Sequence, residues 1–156
     1  MGLSTAEHSV WSGKDTQNWQ RNIFRQYITK LLNEFADHTL CLTDGSKASG
    51  KTAYACSINN QITAHRIRNS ASVYSAKLIA IHACLSQIAQ LKNVNNYSYV
   101  LSDSLSSLQA VTNPFSTNFI IQRILLSLIT INSIKSQLMF IWIPSHINFP
   151  PHDMTR

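Results

Sequence analysis

The chain has 156 residues, a length that suits one domain with a single core, and its apolar fraction of 44% is ordinary for a globular protein. Thirteen Lys and Arg stand against seven Asp and Glu, for a formal charge of +6. That balance suits a polyanionic partner, nucleic acid ahead of a membrane surface, or simply a basic protein with no such partner.

Residues 1–15 are polar and irregular and read as a flexible N-terminus with no apolar signal segment, so the protein is expected to be intracellular rather than secreted. Residues 16–37 read as an N-terminal helix. Trp19, Ile23, Tyr27, Leu31 and Phe35 recur every fourth position and make one apolar stripe, which either packs on the domain or links it to something upstream. Thr39 to Asp44 reads as a strand, followed by a turn region from Gly45 to Gly50. Lys51 to Ile58 alternates with period two, Asn59-Asn60 suits a two-residue hairpin turn, and Gln61 to Ile67 alternates again. Three antiparallel strands in a meander result.

Ser72 is a candidate cap for the next helix. Val73, Ala76, Lys77, Ala80, Ile81, Cys84, Ile88 and Leu91 mark its inward face. Lys77 falls on the edge of that face, and a lysine there needs a carboxylate partner. Tyr97 to Ser102 is a fourth strand, Ser104 to Thr112 a short helix broken by Asn113-Pro114, Thr117 to Ser133 a third apolar helix and Leu138 to Ile143 a fifth strand. The run Phe119 to Ile134 is interrupted by Gln122, Arg123 and Asn132 and is too short to span a bilayer, so no membrane partner is expected. Residues 149–156, with Pro150-Pro151, read as an irregular tail. Cys41, Cys56 and Cys84 are odd in number, lack C-x-x-C spacing and sit in apolar segments, so they read as reduced core thiols of a cytoplasmic or nuclear protein. The order βββαβααβ predicts an α/β fold with a mixed sheet covered on both faces.

Asp44 and Asp103 each close an apolar strand. If the first and fourth strands are adjacent and parallel, both carboxylates come to one place at the carboxyl ends of the sheet, where open α/β sheets build their sites. Paired carboxylates suit Mg²⁺, and two such ions can activate a water and stabilise a leaving oxygen in phosphodiester cleavage. On spacing alone a turn Asp and a helix-capping Asp fit equally well.

Four stretches carry a resemblance: Thr43-Asp44-Gly45-Ser46-Lys47, then Ser75-Ala76-Lys77-Leu78-Ile79-Ala80-Ile81, then Ser102-Asp103-Ser104-Leu105-Ser106-Ser107-Leu108, then Trp142-Ile143-Pro144-Ser145-His146-Ile147. In that order, over residues 38–148, the chain resembles the ribonuclease H domain of non-LTR retrotransposon reverse transcriptases. The resemblance implies a ribonuclease H-like five-stranded mixed sheet with flanking helices, here with an extra N-terminal helix and without the family's final helix. It implies an RNA–DNA hybrid endonuclease, a hydrolase that cuts the RNA strand with Mg²⁺. It also implies an RNA–DNA hybrid as partner and other domains of a reverse transcriptase polyprotein as neighbours.

Carried over residue by residue, the family's site is incomplete here. Asp44 and Asp103 match two metal-binding aspartates, and His146 matches the loop histidine used near the scissile phosphate. Lys77 stands at the position of the family's glutamate. The fourth carboxylate lies on a helix beyond the histidine loop, and only Asp153 is available to stand in for it. Glutamate occurs only at Glu7 and Glu34, and from residue 38 onward the acids are Asp44, Asp103 and Asp153. The expectation is an ion-paired Lys77 that neutralises Asp44 and Asp103, weak or absent Mg²⁺ binding, and impaired or absent cleavage. A pseudoenzyme that binds hybrid without cutting it is the main alternative, with Ser46, Lys47, Lys51, Arg66, Arg68 and Ser104 as candidate nucleic-acid contacts. A decayed retroelement fragment is another. Gly45 to Thr52 also spells the G-x-x-x-x-G-K-[ST] phosphate loop of an NTPase, a reading that requires a helix starting near Lys51.

Overall fold

The computed structural model describes residues 38–91, 97–134 and 136–144, together with Asn22, Ile23, residues 25–27, Thr29, Lys30 and Asn33. The described residues between 22 and 33 are helical and exposed, Ile23 and Tyr27 of the apolar stripe among them. Trp19, Leu31 and Phe35 of the same stripe, and residues 1–15 and 149–156, lie outside the described residues.

Strand β1 runs over His38–Ala48, β2 over Lys51–Ile58, β3 over Gln61–Ile67, helix α1 over Val73–Ala89, β4 over Tyr97–Ser102, α2 over Leu105–Ala110, α3 over Phe119–Ser133 and β5 over Gln137–Trp142. The element order matches the expected βββαβααβ. The strands form one mixed sheet in the order β3-β2-β1-β4-β5. β1, β2 and β3 pair antiparallel, whereas β1–β4 and β4–β5 are parallel. Helix crossovers on either side of β4 supply the length that parallel neighbours need.

The main correction lies after Asp44. Gly45 to Gly50 is not a turn region, because β1 continues to Ala48 and only Ser49-Gly50 turns, both with positive φ (51° and 70°). That is the two-residue hairpin geometry whose twist matches the flanking strands. Asn59 and Asn60 turn the next hairpin in the same way, with φ of 48° and 69°, as expected. Lys51 begins a strand paired with β1, Lys47 opposite Thr52, so the sequence that spells a phosphate loop has no helix after it. The NTPase reading is thereby corrected.

Smaller shifts are α1 ending at Ala89 rather than Leu91, α2 starting one residue past Ser104 and ending at Ala110 rather than Thr112, α3 beginning at Phe119 rather than Thr117, and β5 spanning Gln137–Trp142. Val73 and Leu91, assigned to the buried face of α1, are exposed, while Leu78 and Leu85 are buried in their stead. α1 packs on β1 and β2 and also against α3, so it is buried on more than one stripe.

Side-chain alternation gives the sheet two apolar faces. Cys41, Cys56 and Val100 join α1 and α3 in the larger core, and Leu42, Tyr99, Leu101, Ile141 and Ile143 form a second cluster on the opposite side. The three cysteines are free and fully buried in the larger core, in keeping with reduced thiols. A hydrogen bond with Cys41, reinforced by burial, pushes the Cys84 thiol well above its ordinary range, and burial raises Cys56. Such thiols are poor nucleophiles. Among the described residues no helix is long and apolar enough to cross a membrane.

Candidate functional site

The site is built where the β1–β4 ladder stops. The last parallel pair is Thr43 with Ser102, so Asp44 and Asp103 are the residues that follow it, Asp44 within β1 and Asp103 just past the end of β4. β4 ends there, but β1 runs on beside β2, so Asp44 lies within its strand rather than closing it. Thr43 braces the junction, its Oγ1 donating to the Leu101 carbonyl at 3.2 Å, and Trp142 Nε1 donates to the Asp103 carbonyl at 3.2 Å. The Ser104 hydroxyl caps α2, accepting from the Ser107 N–H at 3.3 Å, so the chain turns sharply after Asp103.

Lys77 comes from the first turns of α1. Ser72 caps that helix, its hydroxyl accepting from the Ser75 N–H at 3.0 Å. The side chain crosses to the end of the ladder. Its Nζ donates to Asp103 Oδ1 at 2.5 Å and to Asp44 Oδ1 at 3.3 Å. The same Asp44 oxygen accepts from the Gly45 N–H at 2.9 Å. The pairs are well shielded, with side-chain exposures of 17% for Lys77, 9% for Asp44 and 1% for Asp103. Positions 44, 77 and 103, distant in sequence, therefore meet in space as expected.

Gly45 makes the meeting possible. A Cβ built there would lie 2.5 Å from the Lys77 nitrogen, 2.7 Å from the Ala76 carbonyl carbon and 2.8 Å from the Ala76 Cβ. No real side chain tolerates such contacts, so the glycine lets α1 approach β1 closely enough for Lys77 to reach both acids. Sequence reasoning read Gly45 as a turn glycine and missed this role. A glycine inside a strand marks a close backbone approach, but the signal was hidden because the strand was not extended past Asp44.

The candidate nucleic-acid contacts divide. Ser46, Lys47, Lys51, Arg66 and Arg68 are exposed. Ser46 pairs with Ala53, which pairs with Arg66, and Lys51 pairs with Ala48, so alternation places Ser46, Lys51 and Arg66 on the face that carries Asp44. Lys47 lies on the other face, donating to the Ala71 carbonyl at 3.3 Å beside the start of α1. The Arg66 guanidinium donates to Asn69 Oδ1 at 3.3 Å. Ser104 departs from expectation. It is buried, and its hydroxyl is held by Ser107 Oγ at 2.7 Å as well as by the helix cap. It is a capping residue, poorly placed to meet a phosphate. His146 and Asp153 lie outside the described residues.

Chemically, the locus is a dicarboxylate with a cation already bound. The two Asp Oδ1 atoms share one ammonium and can be no farther apart than the sum of their distances to it. Nζ stands where an ion bridging those oxygens would stand, so the residues as arranged do not suit Mg²⁺. Among the described residues no three His, Cys, Asp or Glu side chains are grouped so as to hold a metal ion.

No protein-family model matches the chain, and no curated protein matches it significantly.

Proposed function

We propose that this chain is a ribonuclease H-like domain that binds RNA–DNA hybrid and cleaves it weakly or not at all, because Lys77 neutralises the centre that would hold Mg²⁺. The observation that carries the reading is the single ammonium hydrogen-bonded to both Asp44 and Asp103. The strand order and the parallel β1–β4 pair that bring those acids together agree with what the sequence resemblance implies. Two unit charges 4 Å apart interact by about 4 kcal/mol at an effective dielectric near 20. A divalent ion entering beside Nζ meets roughly twice that repulsion. It must also break two hydrogen bonds from an ammonium that has lost most of its water.

What remains is a basic domain with exposed cations flanking a neutralised dicarboxylate. Phosphate contacts by Lys and Arg give affinity that falls steeply with salt. The test pairs two measurements on the full chain: hybrid binding by fluorescence anisotropy across a salt series, and cleavage of the labelled RNA strand in millimolar Mg²⁺ or Mn²⁺. Tight, steeply salt-dependent binding with no cleavage supports the proposal. Robust metal-dependent cleavage returns the chain to the active nucleases. Absence of both binding and cleavage leaves the decayed-fragment reading.

A further inference from the structure

We infer that the segment of residues 16–37 docks in cis, as a helix, on the second face of the sheet, over Leu42, Leu101 and Ile141, through an apolar side made of Phe24, Ile28, Leu31, Leu32 and Phe35. The inference does not rest on the function proposed above. A chain that binds no hybrid would keep this packing, and a failure of the docking would leave the hybrid-binding reading untouched.

The sheet face needs a cover. Leu42, Tyr99, Leu101, Ile141 and Ile143 are at most 6% exposed, and the side chains packed around them, Leu40, Tyr97 and Met139, belong to β1, β4 and β5. Among the described residues no helix contributes to this cluster, whereas α1, α2 and α3 all contribute to the larger one opposite. Apolar side chains on a parallel sheet stay out of water only when another layer lies over them. The N-terminal segment has a side that fits. Its eight described residues from Asn22 to Asn33 are all helical and exposed. At about 100° per residue they fill one arc of roughly 200°, bounded by Arg25 and Tyr27. The same period carries Phe24, Ile28, Leu31, Leu32 and Phe35 to the arc that remains, an i, i+4, i+7, i+8, i+11 pattern. The apolar side is therefore offset from the stripe through Ile23 and Tyr27, which face solvent. Connectivity sets the place and direction. Residue 37 is joined to His38, which stands level with Tyr97 and Gln137 where β1, β4 and β5 begin. A helix arriving there covers the cluster only by running antiparallel to these strands. Phe35 to Phe24 then spans about 16 Å at 1.5 Å per residue, the length of about five strand residues, enough to reach from His38 to the level of Leu42 and Leu101. Of the other stretches outside the described residues, 1–15 shows no apolar period, 92–96 is short and polar, and 145–156 is broken by Pro150-Pro151. Leu42 and Asp44 point the same way from β1, so the docked helix closes part of the face that carries the acids and leaves the exposed Ser46, Lys51 and Arg66 open to a partner.

The test uses the full chain carrying Ile141→Cys, which puts a thiol beneath the docked helix, with native-state iodoacetamide labelling read by mass spectrometry. Cys41, Cys56 and Cys84 are buried in the core on the opposite face and report general unfolding. The thiol at position 141 should stay protected in Ile141→Cys alone, and also when Ile23→Asp is added, because Ile23 faces solvent. Adding Ile28→Asp instead puts a charge on the docking side. Labelling at position 141 should then quicken by at least about tenfold while the three native thiols stay protected, since a buried unpaired charge favours local opening. If Ile28→Asp unfolds the whole chain, so that all four thiols react together, Ile28→Ala takes its place and the same selective increase is expected. Rapid labelling in Ile141→Cys alone overturns the inference. So does labelling at position 141 that neither Ile28→Asp nor Ile28→Ala speeds relative to the native thiols. A dimer seen by light scattering, whose dissociation on dilution frees position 141, overturns it as well, because the cover then belongs to a second copy.

Discussion

Lysines occupy two very different settings along β1. In the middle of the strand, Lys77 arrives from α1 and gives its ammonium to Asp44 and Asp103, shielded on nearly all sides. At the far end, Lys47 and Lys51 flank the Ser49-Gly50 turn on an arm exposed to solvent. The residue type is the same, and the difference lies in what surrounds it. A cation withdrawn from water is held by its partners and contributes to stability when they are present. A cation in water contributes little to stability and is available to a polyanion. The contrast sets a cation that helps hold the fold together in the middle of β1 against exposed cations at its end that the proposed hybrid would meet, and it can be attacked at both ends.

The largest effect belongs to Lys77. Lys77→Met keeps the length of the stem and removes the charge, leaving two shielded carboxylates without their shared cation. Breaking a buried pair from one side costs about 3 kcal/mol or more, and partial exposure of the lysine places this case near the lower end. Urea unfolding in EDTA near neutral pH measures it. A variant as stable as the parent at neutral pH would mean that the pair contributes nothing.

Gly45→Ala comes next. The added methyl meets the backbone of α1 at Lys77 and Ala76, which cannot rotate away as a side-chain tip can. Overpacking of this kind costs about 2 kcal/mol, again read by urea unfolding. The useful control is Gly50→Ala at the exposed end. There a Cβ meets nothing within 4 Å, but φ is +70°, so the cost is backbone strain alone, about 1 kcal/mol. Gly50→Asn should recover most of it, because Asn tolerates the left-handed region, whereas Gly45→Asn should be worse than Gly45→Ala. Opposite responses to asparagine at two glycines five residues apart would separate steric contact from conformational strain.

Much of this was legible in the residues. Asn59-Asn60 between two alternating runs specified its turn, whereas the acids after two apolar runs converge only because strands one and four are adjacent and parallel, which the runs alone leave open. The meeting of Lys77 with Asp44 and Asp103 was legible through the resemblance, which sets position 77 beside those two acids, and through the need of an inward lysine for a carboxylate partner. The arm from Gly45 to Ala48 was not legible. Alternation is written in a sequence only where one face of a strand is buried, and residues 46–48 are exposed, so Gly-Ser-Lys reads as turn chemistry. Leu78 and Leu85 were missed for the converse reason. A helix packed on both a sheet and another helix has no single stripe to find. That Ser104 caps α2 and is buried was not read, because a hydroxyl beside an acid also suits a ligand contact.

The smallest effect on stability, and the one that defines the other half of the contrast, is at the hairpin end. Lys51→Ala removes an exposed cation on the face that carries Asp44, so unfolding should move by no more than about 0.5 kcal/mol. Its effect should appear in binding. Each phosphate contact adds close to one unit to the slope of log affinity against log salt for duplexes, so losing one contact should flatten that slope by roughly one unit and weaken hybrid binding most at low salt. Arg66→Ala, on the same face of the neighbouring strand, should act in the same way. Lys47→Ala should do less, because Lys47 lies on the opposite face with its ammonium on the Ala71 carbonyl. Anisotropy across a salt series distinguishes these outcomes. If Lys47→Ala flattens the slope and Lys51→Ala and Arg66→Ala do not, the hybrid lies on the face that carries α1, and the placement of the binding surface beside the neutralised acids must be abandoned.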